Sequence, residues 1–137
     1  MCTAYQKFGA TGIITSGAGR DLDQVQALGF PAFTDGTICA HGYTRIPSIQ
    51  ESVHVGGITI HPGDLLHGDR NGVTTIPLEI ASEIPEACEI FVKAEGIIIE
   101  YLRGDRVTQE DFGENKSEAG KMIDELRQRV ALKASKE

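Results

Sequence analysis

Arg20 and Asp21 stand side by side after a turn of small residues, Gly17-Ala18-Gly19, and no other pair in the chain is better placed to do chemistry. A guanidinium offers a planar fork of donors, so an arginine held at such a turn can clamp an acidic substrate or a keto oxygen. The preceding Gly12 to Thr15 run is short and apolar and reads as a buried strand. After the pair, Leu22, Val25 and Leu28 recur at helical spacing until Gly29 and Pro31 stop the helix before a second apolar run, Pro31 to Phe33. In a parallel sheet, ligands bind beyond the carboxyl ends of strands, which is where this topology puts Arg20 and Asp21.

Every candidate but Arg20 has a plainer structural reading. Asp21 precedes Gln24 by three residues, the spacing of a helix N-cap with a capping-box partner, whereas Arg20 has no comparable local task. Gly17-x-Gly19 with Asp35 downstream resembles a dinucleotide turn, but Leu22 stands where the third glycine belongs. Cys39 and His41 would share a face if Ile38 to Tyr43 were a strand, although a nucleophile and its base are rarely so close in sequence. Cys2, Cys39 and Cys88 are odd in number, far apart and without a Cys-x-x-Cys pair, so free thiols are expected. Asp64 and Asp69 could bind metal, but they sit in Pro62-Gly63-Asp64 and Asp69-Arg70-Asn71-Gly72, and turns are built from these residues. His54, His61 and His67 lack paired ligand spacing.

Around these residues, Cys2 to Phe8 reads as the tail of a helix and Ile38 to Tyr43 as a further strand. From Ser52 the period changes to two: Val53 and Val55, then Ile58 and Ile60 beyond Gly56-Gly57. Leu65-Leu66 and Val73 to Ile76 make a hairpin around the Asp69 turn. Leu78 to Ala94 reads helical with a break or restart at Pro85, and Gly96 to Tyr101 reads as an Ile-rich strand. From about residue 116 to 133, Ala119, Met122, Ile123, Leu126 and Val130 mark an amphipathic helix that needs a partner.

With 137 residues the chain can bury a core as one domain. Thirteen basic residues against twenty acidic ones give a net charge of -7, and the absence of a Lys/Arg-rich run argues against nucleic acid as a partner. No apolar run reaches the length of a membrane span and Met1 to Lys7 lacks a signal-peptide core. A cytoplasmic location without membrane binding is therefore expected.

Gly9 to Asp23, Leu28-Gly-Phe-Pro-Ala-Phe33, Pro62-Gly-Asp64 and Asp69-Arg-Asn-Gly-Val-Thr-Thr-Ile-Pro77 together resemble the RraA-like family. That family includes regulators of ribonuclease E and metal-dependent pyruvate aldolases. The resemblance covers roughly Met1 to Ile84 and implies an α/β fold of the swivelling β/β/α type, assembled as a trimer or a pair of trimers. It implies that Arg20 contacts the pyruvyl oxygen of a small 2-oxo acid as substrate-binding and catalytic residue, and that Asp21 serves Mg²⁺ or another divalent metal such as Mn²⁺. The family's Gly-Glu-x-Leu segment, whose amides hold the substrate carboxylate, would end near Met1, so Met1 is the remaining substrate-binding position and the domain is expected to be short at its N-terminus. Two functions follow from the resemblance: a metal-dependent aldolase or oxaloacetate decarboxylase, and a non-catalytic regulator acting by protein contact.

Overall fold

The computed structural model describes residues 1–134, with side chains through Ala131, and the chain divides into two compact units at Ile76 and Pro77. The first unit runs α1 (Cys2–Lys7), β1 (Ile13–Thr15), α2 (Leu22–Leu28), β2 (Ala32–Thr34), β3 (Val53–Val55), β4 (Ile58–Ile60), β5 (Leu65–Asp69) and β6 (Gly72–Ile76). Helix and strand are mixed as the α/β expectation requires.

β1 and β2 pair in parallel across the α2 crossover, with Ile14 opposite Phe33 and Thr15 opposite Thr34. Gly12 permits the close approach at the start of this pair, because a Cβ there would lie 3.1 Å from the Pro31 carbonyl oxygen. β3 and β4 form a tight hairpin whose two turn residues, Gly56 and Gly57, both have positive φ, the backbone of a type I′ turn. β5 and β6 form a second hairpin, in which Asp69 accepts hydrogen bonds from the Asn71 amide at 2.7 Å and from Asn71 Nδ2 at 3.0 Å. Phe30 and Val55 are buried in this unit. The Phe33 ring lies over Gly68, where an added Cβ would meet it at 2.6 Å, so the parallel pair packs on the second hairpin through a glycine.

Two strand expectations fail. Ile38 to Tyr43 forms no strand: residues 39–51 are exposed and irregular, and Gly19 with Thr37 makes only an isolated parallel bridge. Gly96 to Tyr101 is helical, the last part of α3 (Ile84–Leu102) in the second unit. That run is too short to declare its own period, and the face begun by Ala87, Ile90 and Ala94 continues through Ile97 and Tyr101 at helical spacing. Pro85 sits in the first turn of α3, where its missing N–H costs nothing, so the segment before it is a separate 3-10 turn, Leu78–Glu83.

α4 spans Gln109–Ala134 and begins before residue 116. Thr108 Oγ1 accepts the Asp111 amide at 3.1 Å, and the Tyr101 hydroxyl accepts the Thr108 amide at 2.6 Å while donating to the Thr108 carbonyl. Polar residues and Gly113 mask this early start in the sequence. α3 and α4 pack with Ala94, Ala119 and Leu126 buried. Arg129 Nη1 donates to Glu86 Oε1 at 2.9 Å, whereas Arg129 Nε and Nη2 are buried without acceptors among the described residues. α3 carries a second apolar stripe, Phe91, Val92, Ile99 and Leu102, that is exposed. No helix among the described residues is long and apolar enough to cross a membrane.

Candidate functional site

The glycine turn after β1 is held against the segment after β2 by three backbone bonds: Asp35 N to Gly17 O at 3.0 Å, Gly19 N to Gly36 O at 2.9 Å and Ile38 N to Gly19 O at 2.9 Å. These bonds prolong the parallel pairing beyond Thr15 and deliver Arg20 at its carboxyl end. Gly19 keeps this approach close, since a Cβ would lie 3.1 Å from Thr34 and 3.3 Å from Leu22 and those side chains would have to give way. Arg20 and Asp21 then face an open cleft of about 500 Å³ that is also lined by Leu22, Thr37, Ile38 and Cys39.

Asp21 occupies the N-cap position, and its carbonyl accepts the Val25 amide at 3.0 Å, but its side chain caps nothing. The capping-box reading with Gln24 is thereby corrected. With φ 56° and ψ 41°, Asp21 is in the left-handed region, a conformation that costs a non-glycine residue energy and from which its side chain does not reach the helix amides. The carboxylate turns instead to Arg20, with Asp21 Oδ2 3.1 Å from Nε. The arginine is therefore not free of an internal carboxylate, yet the contact uses Nε alone. Both side chains stay accessible, at 37% for Arg20 and 58% for Asp21.

A larger open groove of about 830 Å³ lies elsewhere on the same unit, lined by Ile14, Phe33, Asp35, Asp69, Arg70 and Val73 among others. Size alone would favour it. Neither Arg20 nor Asp21 lines it, however, and of its two acidic residues Asp69 is taken up by a turn. The Asn71 amide, ahead of the Asn71 side chain, holds the Asp69 carboxyl below its usual range, as expected for an acid that closes a turn. Asp64 Oδ2 likewise accepts the His61 amide at 2.7 Å, so both aspartates do structural work.

Three of the four histidines are engaged within or beside the hairpins. His61 Nδ1 lies 2.6 Å from Ser52 Oγ, His54 Nδ1 lies 3.4 Å from Thr59 Oγ1, and His67 Nε2 lies 3.8 Å from Asp69. Cys39 lines the Arg20 cleft, but without a strand at 38–43 nothing aligns it with His41. Met1 is exposed, its sulfur 3.8 Å from the Tyr5 hydroxyl, and it does not line the cleft. Thr37 and Ile38, which do, escaped the sequence reading because Asp35-Gly36 signals a turn and says nothing about where the chain goes after it.

Among the described residues no three His, Cys, Asp or Glu side chains gather into a metal-binding group. A cation at this cleft would rest on Asp21, whose second oxygen has no hydrogen-bond partner among the described residues, with water and ligand oxygens completing the shell. One carboxylate suits Mg²⁺, which keeps several waters and uses few protein ligands. The residues present are compatible with that ion.

Comparison with known proteins places these elements in context. The family model RraA-like (Aldolase/RraA) matches residues 1–75, the first unit almost entirely. A Halalkalibacterium halodurans protein named "Putative 4-hydroxy-4-methyl-2-oxoglutarate aldolase" is 46% identical over 70 residues, 50% of this chain and 33% of the relative. An uncharacterised protein of Methanocaldococcus jannaschii is 34% identical over 98 residues, 70% of this chain and 47% of its own length. Protein DlpA of Legionella pneumophila is 32% identical over 75 residues, 53% of this chain and 12% of that protein. The chain thus spans less than half the length of each of these relatives. No solved structure matches. The match over residues 1–75, which contains the glycine turn, Arg20, Asp21 and both hairpins, establishes that the chain belongs to the RraA-like family.

Proposed function

We propose that the first unit carries the Arg20–Asp21 part of a divalent-metal-dependent lyase site for small 2-oxo acids, of the pyruvate aldolase or oxaloacetate decarboxylase type. The observation that carries this reading is the pair itself: a guanidinium and a carboxylate, both accessible, held at the carboxyl end of β1 by a left-handed aspartate. The name of the Halalkalibacterium halodurans relative supports the same class of chemistry.

In this reading the Arg20 fork binds the pyruvyl oxygens, and Asp21 steadies Nε so that the outer amines point to the ligand. As charge develops on the keto oxygen, a fixed guanidinium stabilises it without having to reorganise. A divalent cation on Asp21, bound directly or through water, would add Lewis acidity at the same oxygen. We further propose the swivelling β/β/α arrangement for the complete domain, a homo-oligomeric assembly and a cytoplasmic location.

A lactate-dehydrogenase-coupled assay with oxaloacetate and 4-hydroxy-4-methyl-2-oxoglutarate, with and without Mg²⁺, tests the proposal. Mg²⁺-dependent pyruvate release that disappears in both Arg20→Gln and Asp21→Asn is the expected result. Release unaffected by either substitution overturns it. A second reading, a regulator acting by protein contact, is favoured by the exposed Tyr43, Ile46 and Ile49, and it predicts an assay without turnover.

A further inference from the structure

We infer that the Arg20 cleft selects 2-oxo acids that carry one carboxylate and an apolar tail over those with a second, remote carboxylate, and that Leu22 and Ile38 make the selection. Both side chains are brought to the residue that precedes Arg20. Ile38 is tied to Gly19 by its amide, 2.9 Å from the Gly19 carbonyl oxygen, and Leu22 reaches back over the same glycine, its Cδ2 3.3 Å from where a Gly19 Cβ would stand. Leu22 is 47% and Ile38 48% exposed, and both line the cleft onto which Arg20 and Asp21 open. Half-exposed branched side chains beside a guanidinium give a ligand apolar surface to cover.

The charge of the cleft points the same way. Among the described residues that line it, Arg20 is the one cation and Asp21 the one anion. Asp21 takes Arg20 Nε, which leaves the outer amines as a single fork, enough for the carboxylate and keto oxygen of one 2-oxo acid head. A second carboxylate farther along the ligand would come to rest against Leu22 and Ile38, losing water without gaining a partner, on a chain whose net charge of -7 already opposes it. An alkyl tail in the same place loses nothing by leaving water. Thr37 also lines the cleft, and its hydroxyl has no hydrogen-bond partner among the described residues, so it can take a ligand hydroxyl.

The class of substrate that meets these terms is a 4-hydroxy-2-oxo monocarboxylate with an alkyl group on C4: the 2-oxo acid head on the Arg20 fork, the hydroxyl at Thr37 and the alkyl group on Leu22 and Ile38. Its cleavage needs no co-reactant. The C3–C4 bond breaks with its electron pair left on C3 as the enolate of pyruvate, the C4 hydroxyl loses its proton as C4 becomes an aldehyde carbonyl, and C3 takes up a proton to give pyruvate. The inference rests on the proposed 2-oxo acid site and adds which part of that class the site prefers. Oxaloacetate and 4-hydroxy-4-methyl-2-oxoglutarate, each with a remote carboxylate, remain slower substrates.

Two 2-oxo acids of one shape separate recognition from turnover. 5-Methyl-2-oxohexanoate and 2-oxoglutarate share the head and differ in ending on a pair of methyl groups or a pair of carboxylate oxygens. Calorimetric titration in Mg²⁺ is expected to show the methyl-ended acid bound about tenfold more tightly. Ile38→Arg, at a residue outside helix and strand, should strengthen 2-oxoglutarate and abolish that preference, and Leu22→Lys should do the same from the start of α2. In parallel, pyruvate release is followed from 4-hydroxy-2-oxohexanoate and from 4-hydroxy-4-methyl-2-oxoglutarate, with kcat/KM expected to be about tenfold higher for the first. Equal or tighter binding of 2-oxoglutarate, faster turnover of the dicarboxylate, or a preference that neither substitution moves overturns the inference and leaves the lyase reading standing where pyruvate is released. Preferential binding without any pyruvate release overturns the lyase reading and leaves the selection standing. Binding of neither acid overturns both.

Discussion

Asp21 shows why residue type and residue conformation have to be read together. Its place before α2 marks it as a cap, but a left-handed backbone turns its carboxylate away from the helix and onto Arg20. The two roles separate by substitution. Asp21→Asn and Asp21→Gly should leave unfolding stability nearly unchanged, since both residues accept this backbone, whereas Asp21→Ala should cost about 1 kcal/mol for the left-handed conformation. All three should lose the response to Mg²⁺, measured as the metal-induced change in thermal midpoint. Loss of that response in Ala but not in Asn would identify strain rather than the carboxylate as the cause. At Arg20, lysine keeps the charge and loses the planar fork. Calorimetric titration of Arg20→Lys with oxalate should show binding weakened by about 1–3 kcal/mol, and an unchanged affinity would remove Arg20 from the site.

Short elements of the first unit depend on glycines at named contacts. Gly68→Ala pushes a Cβ to within 2.6 Å of the Phe33 ring, so chemical denaturation should report a loss of about 1–3 kcal/mol. Thr108→Ala removes the hydroxyl that holds the first turn of α4 and should cost about 1 kcal/mol by the same measurement. The parallel unit, both hairpins and the place of Arg20 and Asp21 after β1 were legible in the sequence because each has a local cause: Gly29 stops α2, Gly56-Gly57 turns one hairpin and Asp69 with Asn71 closes the other. What was illegible has causes far along the chain. Ile97 and Ile98 belong to a helix because α4 packs against that face, and Thr37 and Ile38 wall the cleft because Gly19 draws them in. Cys39-x-His41 had alternation without a partner strand, and so no strand formed.

Over the whole molecule, family resemblance and local architecture cover different parts: the family match takes in the first unit and the helical unit follows it. The helical unit has an ambiguity of its own, since α3 is apolar on the stripe it buries and also on the stripe it exposes through Phe91, Val92, Ile99 and Leu102. By apolar character alone, either stripe of α3 could be laid on α4. The Glu86–Arg129 pair distinguishes them, because turning α3 to its other stripe would carry Glu86 out of reach. Its two unpaired buried donors make Arg129 expensive for stability. Arg129→Met should therefore raise the thermal midpoint while broadening the amide resonances of α3, as two packings exchange. A sharp single set of resonances in that variant would show that shape alone decides. Arg129 thus acts as a tie-breaker, giving up some depth of the energy well so that the helices have one seating instead of two.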